Sequence, residues 1–386
     1  MNNNHVFINS LAVGMKVYGA YIVSNIRFAV TRTGNPYLTA TLTDASGSIG
    51  MVCWEVDGTL NPSMNGRIIE ISALVGTYRD KLQLCVELME EADTDLMESD
   101  ELSAVIPTAP IDPNAYDQYV YNLVQSIENP EICAICDDLL RGNRDCFYTI
   151  PGGMNVHHAF RHGLLMHTAD MAMMAETIIM KNPDTVNRDL LLAGVLLHDI
   201  GKLHEFVTSP VTGLVTGYSD AGNLIGHSVL GALMIAEAGA RTGASMEIVQ
   251  MLQHMVLSHH GDPAAGAAKE PITIEAEILH DLDKLDSRKQ VCAVQLAQVP
   301  SGSYTPKLPT LGRRLYRHKI GVSDEAPQQE DWDDTFDFAE KEAAPSSSGD
   351  YEFVSRAVAT FPNGYRMSGS FDGDIFYPDD ANFPVL

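Results

Sequence analysis

The chemistry on offer in this sequence is that of imidazole and carboxylate. His198 and Asp199 close the aliphatic run "LLLAGVLLHDIGK", Leu190 to Lys202. Further histidines and acids stand where apolar helical stretches turn: His167 in "GLLMHT", His227 in "GHSVLG", His259 and His260 in "LSHHGDP", and Asp283 in "LHDLDKLD". Imidazole and carboxylate together suit borderline divalent metals such as Mn, Fe, Co, Ni or Zn. A lone histidine-aspartate doublet at a helix end has a plain structural explanation, because the two can pair with each other or with solvent. Accompanied by these other turns, it makes a two-metal centre the economical reading. Adjacent helical residues point about 100° apart, so His198 and Asp199 share a site only beside the helix end, with the Asp199 carboxylate spanning two ions. Ions about 3.5–4 Å apart can clamp the attacking and leaving oxygens of a phosphoryl centre. Lys202 is placed to meet an anionic group, and Gly201 gives the helix a tight exit.

Positioning these ligands falls to the aliphatic run, whose Leu191, Leu192, Val195 and Leu196 lock the helix in a core. From Tyr116 to about Gln298 the apolar period stays helical, which predicts an all-helical domain over residues 116–320. Residues 14–90 differ. Five β-branched and aromatic-rich runs, punctuated at "RTGNP" and "ASG", predict a five-stranded OB-fold barrel over residues 1–90, with a short helix or loop in "EVDGTLNPSMN". Residues 91–115 are acidic and end in three prolines, the composition of a linker with no fold of its own. Residues 321–350 read as a disordered acidic segment. Residues 351–386 regain aromatics, as a small β appendage or docking segment of unassigned role.

The chain has 386 residues, 45% of them hydrophobic, enough for two or three domains with a sizeable core. No leader and no apolar run of the ~20 residues that cross a bilayer is visible, so the expected location is the cytoplasm. The six cysteines lack a framework spacing. Cys133 and Cys136 read as core thiols on an apolar helical face. A net charge of −26 on its face argues against a nucleic-acid partner, but its distribution means that the whole-chain value says little about any particular groove. Glu91 to Asp138 holds 12 acids and no base, and Val322 to Leu386 holds 15 acids against 3 bases. The rest is near neutral, and Lys307 to Lys319 is locally basic with five Lys or Arg.

The ordered set "GLLMHT", "HDIGK", "GHS", "SHHG" and "DxxDS" resembles the HD-domain metal-dependent phosphohydrolases. With "TGNPYLTATLTDASGSIGMVCW", "YRDKLQLCVELM", "HHAFRHGLLMHT" and "EAEILHDLDKLDS", the order barrel, linker, HD domain is similar to the YhaM-type 3′-to-5′ exoribonucleases over roughly residues 10–320. The resemblance implies one metal on His167, His198, Asp199 and Asp283, and a second on Asp199, His227 and one or both of His259 and His260. It implies that Asp199 and Lys202 are catalytic, with Lys202 stabilising phosphate charge, and that His157, His158 and Arg161 border the scissile phosphate or the 3′ end. The implied cofactor is a pair of divalent ions, manganese foremost, with Co, Fe, Ni or Zn as alternatives. His162 departs from the pattern, which favours a small residue there. His254 and His280 read as core or supporting histidines, Asp286 as a ligand support or a solvated ion-pair partner, and the methionines between Leu164 and Met174 as adaptable core.

OB barrels hold single strands by stacking bases on aromatics over a positive groove. Tyr37, Trp54, Tyr78 and Phe28, with Arg32, Arg79 and Lys81, are the candidates, half of the aromatics being expected in the barrel core. Single-stranded RNA is the expected partner, with single-stranded DNA as a second substrate. Two other readings stay open: an HD phosphohydrolase of nucleotides or cyclic dinucleotides with a regulatory barrel, and a non-catalytic nucleic-acid adaptor. The acidic tail is an inert solvated segment, a competitor for the cleft or a protein-binding element, and a homo-oligomer is compatible with the sequence.

Overall fold

The computed structural model describes residues 5–54, 61–79, 81–154 and 157–321, together with the backbone of three strands between 355 and 378. Five strands come first: β1 (Lys16–Val30), β2 (Pro36–Asp44), β3 (Gly47–Cys53), β4 (Ile68–Tyr78) and β5 (Lys81–Glu91). They close into a barrel in the order β1-β2-β3-β5-β4, the OB topology the strand runs predict. Closure depends on the length of β1. Its first half pairs with β4 (Lys16 opposite Leu74 to Ile22 opposite Ile68) and its second half with β2, the register shifting between Ser24 and Arg27. Such a bulge bends a strand and strengthens its twist, and Asn25 there takes a positive φ of 54°. Val17, Tyr21, Val23, Leu38, Leu42, Met51, Ile69 and Leu84 fill the interior, following the alternation of β2, where Leu38, Ala40, Leu42 and Asp44 point in and Tyr37, Thr39, Thr41 and Thr43 out. Of the predicted helix or loop after β3, a single turn at Pro62–Met64 is present; residues 55–60 lie outside the described residues.

The segment 91–115 differs from the expected structureless linker. Helix α1 (Ser99–Val105) forms there, with Glu98 N donating to the Glu101 carboxylate at its start (3.2 Å). Its acidic composition conceals a Leu102, Val105 and Ile106 stripe, which packs on Ile22, Ile68 and Ala92 of the barrel. Spacing overrides composition because three apolar side chains on one helical face have a surface to bury against.

The helical part contains α2 (Pro113–Gln125), α3 (Pro130–Gly142), α4 (Arg144–Thr149), α5 (Gly163–Lys181), α6 (Arg188–Leu197) and α7 (Lys202–Glu205). A ribbon of β6 (Phe206–Thr208) and β7 (Val215–Tyr218) follows, then α8 (Asp220–Leu224), α9 (His227–Thr242), α10 (Met246–Ser258) and α11 (Ile274–Ala297). Helix α6 runs through the middle: every residue from Leu190 to Leu197 is buried, packed on α3, α5, α10 and α11. Asn187 caps its start by accepting from Leu190 N (3.0 Å). Cys136 of α3 belongs to this core, with Cys133 packed against it.

The ribbon joins the two parts. Ser209 Oγ donates to Gly66 O of the barrel (2.8 Å), as does Thr212 Oγ1 (3.3 Å), while Val211 and Leu214 pack on the cluster beneath α1. Barrel and helices accordingly form one compact unit, residues 1–317. The remainder is a separate unit whose described backbone is an antiparallel sheet of β8 (Ser355–Thr360), β9 (Arg366–Asp372) and β10 (Ile375–Pro378). These three strands lie within the stretch 351–386, which the sequence leaves open as a small β appendage or a docking segment. The acidic segment predicted as disordered lies, apart from Gly321, outside the described residues.

Candidate metal centre

The ends of α5, α6, α9 and α10 and the middle of α11 converge on Asp199. Its Oδ2 lies 3.2 Å from His198 Nε2 and 3.8 Å from His167 Nε2, while Oδ1 lies 3.5 Å from His227 Nε2 and 3.9 Å from His259 Nε2. The two oxygens of one carboxylate thus face two separate histidine groups. Asp283 joins the first group, its Oδ1 3.3 Å from His167 Nε2. His260 joins the second, its ring 4.0 Å from that of His259 and 5.1 Å from that of His227. The sequence-predicted set His167, His198, Asp199, His227, His259, His260 and Asp283 is therefore brought together in full.

The donor set fits divalent metal. Nitrogens of His227, His259 and His260 lie within 4.8 Å of one another, as do ligand atoms of His167, His198 and Asp199. Nε2 of His227 and of His259 and Nδ1 of His260 are buried with no hydrogen-bond partner, an expensive arrangement for polar atoms unless something coordinates them. Burial pushes the His259 and His260 pKa values down, His259 well below the usual imidazole range, so their lone pairs are free for a cation. Against the pull of burial, Lys202 and His198 hold Asp199 well below the usual carboxylate range. Also against burial, Asp283 and Asp286 raise His167 to about 9.

Four of the five histidines are held at their other nitrogen. His198 Nδ1 donates to Val195 O (2.9 Å) and His259 Nδ1 to Val256 O (2.6 Å), in both cases the carbonyl three residues back in the same helix. His167 Nδ1 pairs with Asp286 (2.7 Å) and His227 Nδ1 with Glu205 (3.0 Å). These bonds leave Nε2 of all four aimed at the Asp199 carboxylate. Asp286 is fully buried and meets both His167 Nδ1 and, at 2.7 Å, the half-exposed Lys289, so it supports the His167 ring and forms the ion pair as well. Glu205 escaped the sequence reading, since an acid in "KLHEFV" carries no local signal of what it touches.

Other candidates land in mixed positions. Lys202 is buried and donates to Asp199 Oδ2 and to Gly152 O, both at 2.6 Å, tying the loop before α5 to the centre. His158 is fully buried on the Nδ1 side of His167, its Nε2 3.3 Å from Asp286, and burial lowers it to about 3. It therefore backs a ligand instead of bordering an opening. His157 is half-buried, its ring 6.3 Å from that of His167, and Arg161 is exposed. His162 takes a left-handed φ of 63° at the start of α5, which explains why a small residue suits this turn. Here the imidazole is accommodated by Tyr148, whose carbonyl lies 2.6 Å from His162 Nδ1. His280 Nδ1 donates to His259 O (2.8 Å) and His254 Nε2 accepts from Ile272 N (3.1 Å), both as supports.

Gly201 corrects one expectation. Its φ of −65° and ψ of −18° are ordinary helical values, so no special turn requires glycine. The requirement is proximity: a Cβ would sit 2.0 Å from His227 O and 2.6 Å from Gly231 N. Helix α9 lies against the bare backbone there, and that contact brings His227 to Asp199.

On the barrel, Tyr37 and Trp54 flank each other on the outer face of β2 and β3, ring centroids 5.2 Å apart. Trp54, Tyr78 and Phe28 are exposed and Tyr37 half-buried, so none of the four is in the barrel core, contrary to the expectation for half of them. Arg79 lies over the Tyr78 ring (5.2 Å) in the β4–β5 turn, with Lys81 exposed beside it.

The HD domain family matches residues 164–288. The 3′-5′ exoribonuclease YhaM of Geobacillus sp. (strain WCH70) is 32% identical over 315 residues, 80% of this chain and 93% of that protein. The YhaM of Bacillus licheniformis is 32% identical over 308 residues, 79% and 95% of the two chains. Among solved structures, the second OB-fold domain of replication protein A from Methanococcus maripaludis aligns at 19% identity and a TM-score of 0.19, covering 23% of this chain and 95% of that one. At 32% identity over about four fifths of its length, this chain belongs to the YhaM family of 3′-5′ exoribonucleases.

Proposed function

We propose that this protein is a metal-dependent 3′-to-5′ exoribonuclease with a two-ion centre, Asp199 bridging the ions. The observation that carries the two-ion reading is the division of the Asp199 oxygens between His167 and His198 on one side and His227 and His259 on the other. His167, His198, Asp199 and Asp283 would hold one ion, and Asp199, His227, His259 and His260 the other. Bound there, divalent ions supply Lewis acidity toward the phosphate and lower the pKa of an attacking water. The chain does the rest. Asp286, Glu205 and the two helix carbonyls orient the imidazoles, Lys202 holds Asp199 and the 152 loop together, and the apolar helices α5 and α6 exclude water from the rear of the site. Manganese is the ion the family resemblance favours, its liking for carboxylate being met by Asp199 and Asp283, while the five imidazoles suit Fe, Ni or Zn as well. No helix among the described residues is long and apolar enough to cross a membrane.

The barrel supports a polymeric substrate over a free nucleotide, because Tyr37 and Trp54 offer bases a stacking platform. Titrating Mn2+, Co2+, Fe2+, Ni2+, Zn2+ and Mg2+ into metal-free protein with a 5′-labelled oligoribonucleotide should give a ladder shortening from the 3′ end. Intact RNA alongside hydrolysed nucleotides would reject the exonuclease reading. Single-stranded DNA in the same assay tests the second substrate. Replacing Arg79 and Lys81 together with alanine should weaken binding of long strands and reduce the slope of log affinity against log salt by about 1.4. Hydrolysis of a small phosphodiester should be spared; equal loss on both substrates would show that the barrel does not divide the labour.

A further inference from the structure

We infer that Glu205 is the positioning residue for His227 and thereby sets the occupancy of the second ion position; the inference rests on the two-ion reading above. The four histidines facing Asp199 are not equally confined. The side chains of His167, His198 and His259 are each 1% exposed, whereas that of His227 is 15% exposed. Close packing therefore confines three of the rings in addition to their hydrogen bonds, whereas the more exposed His227 ring depends more heavily on its hydrogen-bonding partner. Glu205 is that partner: its Oε1 accepts from His227 Nδ1 and from His227 N, both at 3.0 Å.

The two bonds act on different freedoms of one residue. His227 is the first residue of α9 and follows Gly226 at a φ of 82°, so its backbone N–H has no intrahelical acceptor. Glu205 caps that donor and fixes where the helix begins. The bond to Nδ1 fixes the tautomer and the ring plane, presenting Nε2 as a lone pair to the centre. Glu205 is itself held. Its carbonyl accepts from Ser219 N (2.8 Å), and Gly222 lies so close that a Cβ would fall 2.4 Å from that carbonyl oxygen. The short helix α7 places it six residues after Asp199, so one rigid turn of chain carries both the bridging carboxylate and the residue that aims a ligand of the second ion.

The arrangement makes the two ion positions separable. Asp286 serves His167 on one side and Glu205 serves His227 on the other, through separate hydrogen bonds. Removing Glu205 is expected to weaken the second ion by about 10- to 100-fold while the first is retained.

The test is metal stoichiometry on the full-length chain, with Mn2+ as the probe, read by metal analysis after dialysis and by electron paramagnetic resonance. Wild type should hold two ions per chain with a spin-coupled signal. Glu205→Leu should hold one ion with an uncoupled six-line signal and an unchanged circular dichroism spectrum. Glu205→Gln, whose amide oxygen can still accept both bonds, should recover the second ion. Adding Glu205→Leu to His227→Ala should change stoichiometry no further than His227→Ala alone. If the leucine variant does not fold, Glu205→Ala, which leaves room for water, carries the same expectation. Two tightly held ions in the leucine or alanine variant, or a glutamine variant as defective as leucine, would overturn the role of Glu205. A wild type that binds a single ion would overturn the two-ion reading instead.

Discussion

Asp199→Asn should leave a folded protein that degrades single-stranded RNA at least about 10³-fold more slowly than wild type, a factor worth about 4 kcal/mol at ~1.4 kcal/mol per decade. The size follows from what is lost. An ion acting on a phosphoryl oxygen supplies several kcal/mol of transition-state stabilisation, and asparagine cannot serve two ions because one of its terminal atoms is a donor. That NH2 would face ring nitrogens at one of the two edges where Asp199 now offers oxygen. Asparagine is the informative choice over alanine. Lys202 is 7% exposed and donates to Asp199 Oδ2; both substitutions remove the counter-charge of this buried ammonium, but the asparagine amide oxygen can still accept its hydrogen bond, whereas alanine would leave it without that acceptor as well. Single-turnover cleavage with metal content measured on the same sample checks the prediction. A variant within tenfold of wild type that keeps both ions would remove Asp199 from the centre of the mechanism.

Gly201→Ala should be nearly as damaging although it deletes nothing. The added methyl would lie 2.0 Å from His227 O, well inside contact distance, and the atoms it would meet are backbone that cannot rotate away. Helix α9 must retreat by about 1 Å, a displacement that can lower activity on the order of 10²-fold when it moves a catalytic ligand. Overpacking of this kind costs ~1–3 kcal/mol, a fall in Tm of several degrees at ~2–4 °C per kcal/mol for a domain of this size. Gly142→Ala is the control, because a Cβ there meets nothing within 4 Å, and it should melt at or slightly above wild type. An alanine at 201 that left Tm and rate unchanged would show that α9 is not held by this contact.

These two positions mark where the sequence was readable. Asp199 announced itself through residue type and the apolar run before it, since a costly acid at the end of a buried helix demands a compensating partner. The strands were legible for a similar reason: alternation in "YLTATLTD" reports directly which side chains enter the barrel. Gly201 was noticed for the wrong cause. A glycine after a helix ordinarily signals a left-handed exit, and only the packing of α9, a long-range contact, reveals that close approach is what excludes a side chain. Glu205 and the burial of His158 were illegible because each depends on partners, His227 and Asp286, far away in the chain. Helix α1 was hidden by composition, its charges outweighing a three-residue stripe whose meaning depends on the barrel surface beneath it.

The carbonyl-held histidines have a consequence for how this centre can change over generations. Asp286 and Glu205 are side chains, so a single base change can replace either and retune the ligand it serves. Val195 and Val256 offer main-chain oxygens, which persist whatever residue the codon specifies. His198 and His259 thus keep their orientation through substitutions at the very positions that orient them, as long as the helix survives. At Val195 and Val256 the orienting role imposes no side-chain requirement beyond what core packing demands, while drift at Asp286 or Glu205 should travel with altered metal preference.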